Sequence, residues 1–133
     1  MDSEQSGENR IFTYEEARAM IGEVRECTEE ANESLEALRE RLNRLPPNSS
    51  RAGKLNEWVN NLINQWAEEI MAMGAQPKGL WTVDFDSGEG YYFCWTLNEP
   101  DLTHFHLYEE GFVGRKPLSE IDGRPARSPA LLD

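Results

Sequence analysis

The chain has 133 residues, with 13 basic and 25 acidic side chains and a net charge of −12. A surface this acidic repels phosphate backbones and anionic headgroups, which argues against nucleic acid and against membrane docking. No uncharged apolar run approaches the ~20 residues that cross a bilayer, so no membrane span is expected.

The length suits one domain, and four Trp, four Tyr and five Phe give it the material for a core. Residues 1–9 are polar and read as a disordered tail. Lacking an apolar segment, they do not read as a secretory signal. Residues 10–122 read as a single α+β domain, helical over 10–74 and β-rich over 79–118, with a flexible tail at 123–133. Thr13 followed by Glu16 is a capping box. Beyond it, Tyr14, Ala17, Ile21, Val24, Thr28, Ala31, Leu35, Leu38, Leu42 and Leu45 recur at steps of three and four. That pattern predicts one long helix ending before Pro46-Pro47. A loop follows, then a second helix from about Lys54 to Met73, stopped by Gly74. Its apolar set includes Leu55, Trp58, Val59, Leu62, Ile63, Trp66 and Ile70, wide enough to be covered on more than one side. The two should pack as an antiparallel helical hairpin, the first overhanging the second by about three turns.

After Gly79 the period changes to two. Trp81, Val83 and Phe85 share one face of a strand. Asp86 to Gly90 turn the chain, and Tyr91, Phe93, Trp95 and Leu97 then alternate with Tyr92, Cys94 and Thr96. A third strand over 102–108 would set Thr103, Phe105 and Leu107 against His104, His106 and Tyr108. The fold class expected is α+β, a long antiparallel helical hairpin packed on a small antiparallel sheet of two to three strands.

Several segments resemble a known family. Phe12 to Ala17 reads Phe-Thr-Tyr-Glu-Glu-Ala, and 83–85 reads Val-Asp-Phe. Cys94 to Pro100 reads Cys-Trp-Thr-Leu-Asn-Glu-Pro, 104–106 His-Phe-His, and Glu110 to Leu118 Glu-Gly-Phe-Val-Gly-Arg-Lys-Pro-Leu. Over roughly residues 10–118 the chain resembles the bacterial family known as domain of unknown function 2203. The helical half is generic, and the stretch from Cys94 to Leu118 is the specific part. The resemblance implies no activity, because that family has none assigned.

Polar residues concentrate in the same stretch. His104 and His106 are two apart, which on a strand puts both imidazoles on one face, a spacing that metals use. Glu99 or Asp84 would add an oxygen ligand, giving His104, His106 and Glu99 as the candidate metal set. Arg115, after Gly111 and Gly114, is placed to clamp Glu99 or Glu110, or to hold a carboxylate ligand. The candidate polar site is therefore Glu99, His104, His106, Glu110 and Arg115. Asp84-x-Asp86-x-Gly88 is not a calcium loop, because Trp95 stands where the twelfth-position Glu belongs. The 110–115 stretch lacks the Gly-Lys-Ser/Thr ending of a phosphate loop. Cys94 reads as a small buried hydrophobe, and Cys27, among Glu residues, as an unreactive thiol. Neither has redox spacing, which fits reduced cysteines in a cytoplasmic protein.

Two function classes remain. The first is a non-catalytic, self-associating or protein-interaction module without a cofactor, a homo-oligomer with the dimer favoured. The alternative is a small-molecule or divalent-metal site built around His106, Glu99 and Arg115, where hydrolysis would be the available chemistry.

Overall fold

A computed structural model of the chain describes residues 10–121, and the tails expected at 1–9 and 123–133 lie outside the described residues. The first helix, α1 (Tyr14–Ala19), opens on the expected capping box. Glu16 N donates to Thr13 Oγ1 at 3.0 Å, and Thr13 N donates to Glu16 Oε1 at 2.9 Å. The continuous helix expected from Tyr14 to Leu45 is not formed. At Met20 the backbone N–H donates to Ala17 O, only three residues back, and α2 (Ile21–Asn43) begins there. The short α1 has its own tethers to the loop at 98–102. Tyr14 Oη donates to Leu102 O at 3.0 Å, and Arg18 grips Asp101 with Nε and Nη2.

The second expected helix starts earlier than Lys54. Ser49 Oγ accepts from Ala52 N at 3.1 Å, and this cap sets the start of α3 (Ser50–Ala72). Both α2 and α3 have 23 residues, and the six residues of α1 precede the break at Met20. They touch through Trp66 Nε1, which donates to Thr28 Oγ1 at 2.9 Å, and through Cys27 Sγ, 2.9 Å from Glu69 Oε1. Ile21, Val24, Thr28, Ala31 and Leu35 of the predicted stripe are buried. Leu38 and Leu42 are only half-buried.

The sheet has five strands rather than two to three: β1 (Gln76–Lys78), β2 (Thr82–Asp86), β3 (Tyr91–Thr96), β4 (His104–Leu107) and β5 (Lys116–Pro117). They form an antiparallel meander in sequence order. The two strands without a sequence signal are the edges. They are three and two residues long, too short to show alternation, and each contains a Pro (Pro77 and Pro117). Proline belongs at sheet edges, where a missing N–H breaks no ladder and the edge is closed to further pairing.

The predicted alternation of the central strands holds. Val83, Phe85, Phe93, Trp95 and Phe105 form the inner face, all buried. Rings from the N-terminal half and from the sheet half meet edge to face. Phe12 packs on Phe85 at 5.2 Å between centroids, Tyr14 on Phe93 at 5.7 Å, and Trp66 on Trp81 at 4.9 Å.

Candidate functional site

The outer face of the sheet carries Thr82, Asp84 and Asp86 of β2, Tyr92, Cys94 and Thr96 of β3, and His104 and His106 of β4. Antiparallel register sets Asp84 beside Cys94 and Tyr92 beside His106. Alternation leads one to expect this face to be wet. Instead its centre is dry: Asp84 is 1% exposed, His106 3% and Cys94 0%. Tyr108, Glu110, Gly111 and Phe112 line one cleft with Asp84, Cys94 and His106, and Arg115 Nη2 donates to Cys94 O at 3.1 Å. Glu110 Oε1 accepts from Leu107 N at 3.1 Å. That cleft has a volume of about 350 Å³, floored by Asp84, Cys94 and His106 and walled by Lys78, Tyr92, Tyr108 and Phe112.

At the floor, His106 Nε2 is 3.0 Å from Asp84 Oδ2, and His106 Nδ1 is 3.0 Å from Leu107 O. Both ring nitrogens thus face acceptors, and each contact needs a proton in it. The ring has no nitrogen left to take a proton from a substrate, so an Asp–His general-base arrangement is absent at this floor. The other carboxylate oxygen, Asp84 Oδ1, is buried and has no hydrogen-bond partner. Cys94 stands opposite Asp84 in the register and is fully buried. Burial, then the neighbouring Asp84 carboxylate, pushes its thiol up to about 12, so it keeps its proton at neutral pH.

The candidate residues read from the sequence divide into three groups. Glu99 and Arg115 come together, with Arg115 Nη2 at 2.7 and 2.8 Å from the two Glu99 oxygens. His104 Nδ1 lies 3.7 Å from Glu99 Oε2 and also meets Thr103 Oγ1 at 2.9 Å. His106 is paired with Asp84 instead of this group. Glu110 faces Lys116 at 3.5 Å, and the Leu107 N–H chiefly holds its carboxyl below the usual range. Among the described residues, the three side chains whose ligand atoms gather closely enough to share an ion are Asp84, Cys94 and His106, all within 4.8 Å of one another.

Sequence reasoning named Asp84 only as a spare oxygen donor and set Cys94 aside as a hydrophobe. The signal was present in the alternation. Once β2, β3 and β4 pair, Asp84, Cys94 and His106 are even-numbered neighbours on one face. A Cys on the same face as a His and an Asp is a candidate ligand before it is a hydrophobe.

Residues 10–118 match the model of a family described as an uncharacterized conserved protein, DUF2203, and the chain belongs to that family. No curated protein and no solved structure matches it.

Proposed function

Within a family that has no assigned activity, we propose that this chain is a binding module whose outer sheet face takes a small molecule. The observation that carries this reading is Asp84 Oδ1, a buried acceptor without a partner at the floor of a cleft. Leaving such a group unsatisfied costs about 1–3 kcal/mol, a cost a bound donor removes. The surroundings suit a ligand. The cleft sets the Asp84, Cys94 and His106 floor against the rings of Tyr92, Tyr108 and Phe112, with Lys78 and Glu110 at its wall. In the segment that follows β4, Phe112 and Val113 leave 53% and 98% of their surfaces exposed. The ligand class is a small molecule with an N–H or O–H donor for Asp84 and an aromatic or alkyl body for Tyr92, Tyr108 and Phe112. Glu99 and Arg115 serve as the clamp that holds the 108–115 segment at the cleft.

A fragment library screened by amide chemical shifts tests this. Shifts clustering at Tyr92, Cys94, His106 and Phe112 are expected. A library that moves only amides elsewhere would overturn the reading.

The scaffold in this proposal is an antiparallel hairpin of α2 and α3, supported by the Thr28–Trp66 and Cys27–Glu69 contacts. One observation favours a second reading, self-association through α3: Trp58 is 56% exposed beside half-buried Val59 and Leu62. A dimer by sedimentation equilibrium that Trp58→Glu turns into a monomer would support it, and a monomeric parent would remove it.

A further inference from the structure

We propose that Asp84, Cys94 and His106 bind one divalent transition-metal ion of the zinc type, with one coordination position open to the cleft. The proposal rests on the reading of the outer face as a ligand pocket and names what the floor of that pocket holds. Three adjacent strands each contribute one donor: an oxygen from β2, a sulfur from β3 and a nitrogen from β4. Their ligand atoms already lie within 4.8 Å of one another. Tetrahedral zinc bonds of about 2.0–2.3 Å put neighbouring ligand atoms about 3.4–3.8 Å apart, so small side-chain adjustments close the site.

Further features fit an ion. Asp84 Oδ1 is buried without a partner, and a metal is a partner that needs no donor proton. His106 Nδ1 is engaged with the Leu107 carbonyl, which fixes the tautomer that leaves Nε2 for a metal, the usual outer-shell arrangement of a ligating His. The charges cancel: a carboxylate, a thiolate and a neutral imidazole balance a divalent cation, so no net charge is buried. The ion takes the place of two protons, that of the Cys94 thiol and the one between Asp84 Oδ2 and His106 Nε2, and both leave to solvent. The mixed nitrogen, oxygen and sulfur set selects a borderline ion such as Zn²⁺ or Co²⁺ over Ca²⁺ or Mg²⁺, which take oxygen ligands. Three protein ligands beside a cleft leave the fourth position for water or a small molecule, the pattern of sites that exchange ligands rather than of closed structural ones.

Titrating Co²⁺ into reduced, tag-free full-length protein tests the assignment. The expected result is a thiolate-to-cobalt charge-transfer band and strong visible bands, saturating at one ion per chain and bleached by Zn²⁺ but not by Mg²⁺. Cys94→Ser should abolish the charge-transfer band, and Cys27→Ser should leave it intact. His106→Gln should weaken Zn²⁺ binding by more than the about 10–100-fold that loss of an outer-shell partner costs. Should the Cys94 variant fail to fold, zinc-edge X-ray absorption of the parent decides: one sulfur among the ligands supports the site, and nitrogen and oxygen alone overturn it. No charge-transfer band in the parent, or a band that follows Cys27, also overturns it. Fragment shifts at the cleft without any cobalt band would sink the metal and leave the ligand pocket standing. A cobalt band without fragment shifts would do the reverse.

Discussion

Asp84 and Phe85 are neighbours on β2, exposed to 1% and 0%, and they are buried for different reasons. Phe85 faces inward, where burying a ring is favourable in itself and the Phe12 edge meets it. Asp84 faces outward, and its burial costs free energy that one contact with His106 only partly offsets. The inner face of the sheet therefore explains why the chain folds. The outer face holds groups that folding alone gives no reason to bury, and such places are where a site is to be sought.

Truncating each of the two neighbours sharpens this contrast. Phe85→Ala should cost about 3–5 kcal/mol, as ring removal in a packed core does. Chemical denaturation with an unchanged m-value is the measurement. Asp84→Ala, measured with a chelator present, should cost about 2–3 kcal/mol, because it leaves His106 Nε2 buried without a partner. Asp84→Asn keeps the shape and one acceptor and should cost less than the Ala variant. Were Asp84→Ala to stabilise the protein, the contrast would be sharper still: Asp84 would then be held at the expense of stability.

The same contrast governs what the sequence could tell. Alternation in 81–85 and 91–97 assigned the inner face residue by residue, because apolar burial repeats at the period of the strand. The capping box at Thr13 and Glu16 marked the first helix start for a similar reason, since two side chains at fixed spacing meet two free N–H groups. The break at Met20 had no such mark. Apolar steps of three and four run straight across it, while the α1 tethers to Asp101 and Leu102 are more than eighty residues distant along the chain. Edge strands β1 and β5 were too short for any period to show. The floor of the cleft was hidden because Asp84, Cys94 and His106 meet only through the pairing of three strands and share the cleft with Tyr108 to Phe112, a non-local event that no window of sequence contains.

Thr28 offers a polar contact inside the apolar helix interface, where the contrast of the two faces is reproduced on a smaller scale. Its hydroxyl accepts from Trp66 Nε1 at 2.9 Å, and Thr28 is 0% exposed. Thr28→Val keeps the volume and removes the acceptor, so an indole N–H is left buried and unpaired, at about 1–2 kcal/mol. Adding Trp66→Phe removes the orphaned donor. A double-mutant cycle should then show the two losses to be less than additive. Strict additivity would mean that the hydrogen bond contributes nothing and that the helix interface is held by apolar packing alone.

The smallest effect belongs to the exposed pair that ties α1 to the loop after β3. Arg18 Nη2 reaches Asp101 Oδ2 at 3.0 Å, with more than a third of each side chain exposed. The hydrogen bond from Arg18, then that from Leu102 N, holds the Asp101 carboxyl below its usual range. A folded pKa below the unfolded one favours the folded state wherever the carboxylate is ionised in both states. The contribution is therefore complete above the unfolded value, about 3.9, and is lost as pH falls through the lower folded value. Asp101→Asn removes the charge and keeps an acceptor for Leu102 N. Its melting temperature should fall slightly short of the parent's at neutral pH and converge on it in acid. High salt should also shrink the difference at neutral pH, because so exposed a pair is screened. If the gap survives both acid and salt, the turn at Leu102 rather than the ion pair is what holds α1 in place.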